Sequence, residues 1–282
     1  MLADARRLGF IEIKIVEPSA KLEPVSTQLQ NLLSIKDVQV IVPQPNELTV
    51  TTVGRAAARA ILRAIKPNNT IAISWGRGIE AAVMNIRNEK IPGLKVTQLM
   101  GCLSSPVSTV GAEELGRTLA RNLNAQFFPL LAPAVVSSSK TASTMMNEAS
   151  IAEVLEIAKG ADVALVGIGS NGSVSSEEVL RQFRLPQAAQ AKISTSYAGD
   201  ISARFYNEKG APLNRTLDSR VVGLTLSEIK KIPRVIGIAT GAEKARGVIA
   251  AARSGIIKTL ILDTSCAAHI MLTYNPAKES NA

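Results

Sequence analysis

Short runs of Val, Ile and Ala alternate along this chain with longer stretches in which apolar residues recur at helical spacing. Ile71-Ala72-Ile73 precedes the set Ile79, Ala82, Val83 and Ile86, and Val163 to Ile168 precedes a stretch that reads as helix from near Ser175. Val235 to Ala239 precedes Ala245, Val248, Ile249 and Ala252, and Thr259 to Leu262 precedes a last helix near Ala267 to Leu272. Strand and helix alternating in this way are the signature of βαβ units. They predict an α/β fold, an open and mostly parallel sheet with helices on both faces.

Upstream, Ala58, Ile61, Leu62 and Ile65 share one helical face, and Lys66-Pro67-Asn68-Asn69 predicts where that helix stops. Arg55, Arg59 and Arg63 form a stripe on another face, which is the solvated side any surface helix shows. No internal repeat, low-complexity tract or long linker interrupts the pattern after about residue 17, so residues 17–282 read as one unit. The first sixteen residues read differently, as a helix end closing at Gly9 followed by an exposed strand, Phe10 to Ile15. One helix and one strand cannot make a domain, and we expect residues 1–16 to be the trailing edge of another module.

Composition narrows the chemistry. With 282 residues, 46% hydrophobic and 20% charged, the chain can bury a sizeable core. No apolar run approaches the roughly 20 residues that span a bilayer, and a cytoplasmic protein without membrane partners is expected. Cys102 and Cys266 lie far apart with no CxxC neighbour, which argues against a disulfide framework or a zinc ribbon. The single histidine, His269, sits in the apolar stretch Ala267 to Leu272 and reads as a hydrogen-bonded structural residue; one histidine excludes His-rich metal sites. We expect neither metal nor cofactor. A net charge of +9 favours a polyanionic partner, and an internal phosphate pocket contributes to the same total as a nucleic-acid surface would.

Three glycine-bearing turns follow strands, at the positions where open α/β sheets bind ligands. In Ser74-Trp75-Gly76-Arg77-Gly78 the glycines allow close backbone approach, while the helix start, the Ser74 hydroxyl and the Arg77 guanidinium offer donors to a phosphate. The same turn could be glycine-rich for steric reasons alone. Gly167-Ile168-Gly169-Ser170-Asn171-Gly172 has the spacing of a dinucleotide fingerprint, yet the segment about 20 residues on, Pro186 to Lys192, lacks the carboxylate that holds a ribose hydroxyl. In Thr240-Gly241-Ala242-Glu243-Lys244, Thr240 and Glu243 have the spacing of a capping box, leaving Lys244 to meet an anion over the helix start. Arg77 and Lys244 converge on one crevice if their strands are neighbours. Asp200, after glycine in Tyr197-Ala198-Gly199-Asp200-Ile201, could accept hydrogen bonds from sugar hydroxyls or could cap a turn. One carboxylate is poor support for acid–base catalysis.

Taken in order, these segments resemble the sugar-binding domain of the SorC/DeoR-like bacterial transcriptional regulators. Ile13-Lys14-Ile15, Pro18, Leu22-Glu23 and Val38 to Val42 are similar to the family's entry pattern, and Ser74 to Arg77 to its GWGRT turn. Gln98 to Gly101, Leu165 to Gly169, Gly199-Asp200-Ile201, Gly241 with Lys244, and Leu262-Asp263-Thr264 follow its later motifs. The resemblance implies a Rossmann-like fold related to ribose-phosphate isomerase, glucosamine-phosphate deaminase and the CoA-transferases, covering residues 17–282. It implies an effector-binding and oligomerisation domain for a phosphorylated sugar or polyol, not an enzyme, with an isomerase or deaminase on the same scaffold as the alternative. Ser74, Trp75, Gly76, Arg77, Gly78, Gly241 and Lys244 would hold the phosphate, and Met100, Gly101, Cys102, Gly169, Asp200 and Asp263 would line the sugar end. The domain would assemble as a homodimer or homotetramer and act on operator DNA through a helix-turn-helix or winged-helix reader, of which residues 1–16 would be the C-terminal remnant. Gly78 and Cys102 depart from the family pattern, which has threonine and glycine there.

Overall fold

A computed structural model describes residues 21–103 and 111–274, and the expected remnant at residues 1–16 lies outside them. Seven strands form one parallel sheet: β1 Asp37–Ile41, β2 Thr70–Ile73, β3 Lys95–Gln98, β4 Gln126–Phe128, β5 Val163–Gly167, then β8 Arg234–Ala239 and β9 Thr259–Asp263. Two further short strands, β6 Gly199–Ile201 and β7 Arg204–Tyr206, pair antiparallel as a separate hairpin. The order across the large sheet is β1-β9-β8-β5-β2-β3-β4.

Period-two alternation divides the strand residues between two cores. Ile71, Ile73, Val163, Leu165, Ile236, Ile238 and Ile261 pack against helices Thr49–Ala64, Arg77–Met84 and Ala112–Leu123. Their neighbours Ala72, Ala164, Val166, Val235, Leu260 and Leu262 pack on the opposite face, against helices Glu23–Leu33, Ala149–Lys159, Ala245–Ser254 and Thr264–Thr273. Strands apolar on both sides are what a sheet covered by helices on both faces requires. A third cluster, including Trp75, Met100, Val179, Phe183, Tyr197, Phe205 and Val221, forms a roof over the carboxyl ends of the strands.

The four predicted crossovers are present, and Ile65 and Ile86 are buried just beyond the ends of their helices. The capping box expected from Thr240 and Glu243 is not formed: Gly241 occupies the cap position and no side chain caps the short 3₁₀ turn Ala242–Lys244. The capping box found lies at Thr225 and Glu228, before helix Leu226–Lys231. His269 is likewise not a buried structural residue, because it falls on the exposed side of helix Thr264–Thr273. Among the described residues no helix is long and apolar enough to cross a membrane.

Candidate effector site

From β2 the chain builds outward through β3 and β4, then returns to β5 and builds the other way through β8 and β9. The order therefore reverses between β2 and β5, and such a reversal opens a crevice at the carboxyl ends of the strands. Residues 74–78 after β2, 167–169 at the end of β5 and 238–240 at the end of β8 line one cavity there, together with Ser175, Val179, Asp200, Ser202 and Lys244. β2 and β8 are not neighbours, contrary to the simplest arrangement; β5 stands between them. Arg77 and Lys244 nevertheless reach the same cavity, across a strand end whose residues Gly167 and Gly169 carry no side chains.

At the β2 turn, Gly76 adopts φ 125° and ψ 159°, a conformation open to glycine and strained for other residues. It caps helix Arg77–Met84, and no side chain does. The first-turn N–H groups of that helix are left for solvent or an anion, at the positive end of the helix dipole. Gly78 is required sterically, since a Cβ there would lie 2.7 Å from the Ile238 Cγ2 atom. The threonine of the family pattern does not fit at this position without a shift of Ile238.

Lys244 is 6% exposed, and its ammonium donates a hydrogen bond to Ser175 Oγ at 3.1 Å. Burial weakens its hold on its proton and Arg77 reinforces this, while Asp200 and Glu243 oppose it. Asp200 is equally buried and accepts a hydrogen bond from the Ser176 hydroxyl. Burial raises its carboxyl above the usual carboxylate range, with Ser176 and Lys244 pulling the other way. Asp200 is carried by the β6–β7 hairpin, whose two-residue turn places Ser202 at φ 52° and Ala203 at φ 60°. Consecutive left-handed residues fit the type I′ hairpin turn, a conformation usually supplied by Asn and Gly. The turn brings the Ser202 hydroxyl 3.1 Å from Ser74 Oγ, to which it donates, and so joins roof to floor.

The remaining predicted residues fall behind the cavity wall. Asp263 caps helix Thr264–Thr273 by accepting from Ser265 N–H at 3.2 Å, and its other oxygen accepts from Gly241 N–H at 2.8 Å. Both residues thus fix the β8 turn rather than line the cavity. Met100 is buried behind Ser74, its sulfur 3.9 Å from the hydroxyl. Gly101 and Cys102 form a backbone seam, donating to Val222 and Ala132 carbonyls at 3.0 and 2.7 Å. A Cβ on Gly101 would lie 2.3 Å from the Ala132 carbonyl oxygen. Sequence reasoning missed Ser175, Ser176 and Ser202. The run Ser173-Val174-Ser175-Ser176 after the glycine turn was a usable signal for the first two; nothing local marks Ser202.

Comparisons with known proteins agree with this geometry. Residues 17–272 match the Sugar-bind family model, a sugar-binding domain. The chain is 29% identical over 279 residues to the transcriptional regulator LsrR of Escherichia coli (strain K12), covering 96% of this chain and 84% of that protein. It is 25% identical over 275 residues to the deoxyribonucleoside regulator of Bacillus subtilis (strain 168), covering 93% and 84%. The full-length sorbitol operon regulator SorC from Klebsiella pneumoniae superposes with a TM-score of 0.79 over 95% of this chain and 86% of that one, at 22% identity. The switch-point cavity, the order of the motifs and these matches give one answer: this chain belongs to the sugar-binding domain family of SorC/DeoR-type transcriptional regulators.

Proposed function

We propose that the cavity binds a phosphorylated sugar or polyol as an effector and does no chemistry on it. The phosphate sits against residues 74–78 and Lys244, and a sugar hydroxyl donates to Asp200. The observation that carries this reading is the meeting of two cations from separate strand-to-helix turns, Arg77 and Lys244, with one buried carboxylate in a single cavity. The cavity encloses about 60 Å³, room for a few waters or one phosphate group, so the body of the ligand extends outward from it.

Acid–base catalysis generally needs two groups with separated proton affinities. Among the described residues that line the cavity, Asp200 is the only carboxylate and no histidine is present. Asp263 is occupied as a cap, and His269 lies on another surface. On this reading the protein is cytoplasmic, assembles as a homodimer or homotetramer, and reports effector binding to a reader of operator DNA. Calorimetry against a panel of sugar and polyol phosphates tests it, with NMR to detect conversion. Binding without turnover is expected, and Asp200→Asn should weaken the sugar phosphate while leaving inorganic phosphate nearly unchanged. Turnover, or failure of every phosphorylated ligand including inorganic phosphate, would overturn it.

A further inference from the structure

We infer that the groove between helices Glu23–Leu33 and Thr264–Thr273 is a docking surface for a segment of this same chain, residues 10–16. The inference does not depend on the phosphate reading above.

Helix Thr264–Thr273 lacks what a surface helix ordinarily has. It carries no Asp, Glu, Lys or Arg, whereas the outer side of such a helix normally presents charge to water. Leu272 is 83% exposed, and Met271 and Ala268 are exposed beside it. With Leu22 and Val25 from the neighbouring helix and Val40 from β1, these residues line a groove of about 560 Å³, far larger than the voids a packed interior leaves. Contiguous apolar surface of this kind marks an interaction site.

Chain connectivity names the occupant. Lys21 pairs antiparallel with Ile41 at the end of β1, and Leu22 N–H donates to the Val40 carbonyl at 2.8 Å. The chain before residue 21 therefore arrives at the rim of the groove. Within it, Ile11, Ile13 and Ile15 fall on one side of an extended segment, with Glu12 and Lys14 on the other. The stretch from Ile15 to Lys21 spans at most about 20 Å when extended, and helix Thr264–Thr273 is about 15 Å long, so the isoleucines are within reach of the helix. The Val40 backbone is already taken, its N–H by Ser26 Oγ at 3.0 Å and its carbonyl by Leu22. Attachment at this point is thus by burying side chains.

The other stretches outside the described residues do not fit. Residues 275–282, Asn-Pro-Ala-Lys-Glu-Ser-Asn-Ala, hold no large apolar side chain, and residues 104–110 follow β3, across the sheet from β1. Docking ties residues 10–16 to the helix whose cap, Asp263, holds the Gly241 turn.

Hydrogen exchange on the full chain, read by mass spectrometry, tests this. Amides of residues 10–16 should exchange at least about tenfold more slowly than in a free peptide of the same sequence. Ala268→Arg, at an exposed position and checked for folding by its melting curve, should abolish that protection. Ile13→Asp should uncover the groove and raise binding of the apolar dye ANS. Exchange as fast as in the free peptide would overturn the inference, as would protection that survives Ala268→Arg in the folded protein, or dye binding unchanged by Ile13→Asp. Protection lost on dilution by about a hundredfold would assign the groove to a second copy of the chain and overturn it as well.

Discussion

Gly169 and Asp200 are paired through both backbone amides, at 2.9 and 3.4 Å, and the carboxylate of Asp200 fills the space where any other residue at 169 would carry its Cβ. A Cβ built there would lie 1.9 Å from Asp200 Oδ1 and 2.4 Å from Ser176 Oγ. The second glycine of the G-x-G-x-x-G spacing therefore makes room for a protein carboxylate, and no dinucleotide is needed to explain it.

Gly169→Ala should displace the Asp200 side chain and destabilise the fold by about 1–3 kcal/mol, the usual range for overpacking. Sugar phosphate binding should be lost with it. Gly172 has φ +80° but nothing within 4 Å of its would-be Cβ, so Gly172→Ala should carry only backbone strain of about 1–2 kcal/mol and keep its ligand. Melting curves with and without sugar phosphate separate the two; equal binding losses would mean the whole turn acts as one unit.

Lys244→Met should weaken sugar phosphate binding by at least tenfold, about 1.4 kcal/mol. The substitution removes a buried ammonium that donates to Ser175 Oγ, and the Ser175 hydroxyl loses that donor. Calorimetry reads the difference directly, and an unchanged dissociation constant would remove Lys244 from the phosphate site.

Burial holds the Asp200 carboxyl above its ordinary range, so the folded protein binds that proton more tightly than the unfolded chain. The associated stability is present at low pH and is lost as pH rises from about 4, the unperturbed carboxyl value, through the raised one. Asp200→Asn has no such loss. Without ligand, the melting temperature of the variant relative to the native protein should therefore climb as pH increases from 4 to 8. A difference that stays flat across that window would mean that the carboxyl is ionised at its ordinary value in the fold.

Residues 17–282 alone should not prefer an operator sequence, because specific readout needs side chains placed against base edges. Any binding driven by their net positive charge should fall steeply with salt and ignore sequence. Gel shifts at increasing salt, comparing promoter with scrambled DNA, provide the check. A preference surviving physiological salt would place the reading surface within these residues.

What the sequence determined by itself is what is written locally. Val163 to Val166 and Leu260 to Leu262 are apolar at successive positions because both faces of their strands are covered, and that can be read without knowing by what. The glycine turns after β2, β5 and β8 were legible for the same reason: backbone conformation and helix starts are set by a few adjacent residues. Two local inferences failed, at Thr240 with Glu243 and at His269. In the first, the adjacent Gly241 took the cap position at φ 98°; in the second, an apolar stretch on a surface helix still has an outer side. The order of strands was decided only in three dimensions, since the preference for β5 between β2 and β8 lies in the fit of whole layers. So was the roof of the site. Ser202 meets Ser74 across 128 residues of chain, Asp200 meets Ser176 across 24, and Asp263 turned from a candidate ligand into a clamp on Gly241 across 22. Contacts of that kind follow from packing once the chain has closed on itself, and no spacing along the sequence encodes them.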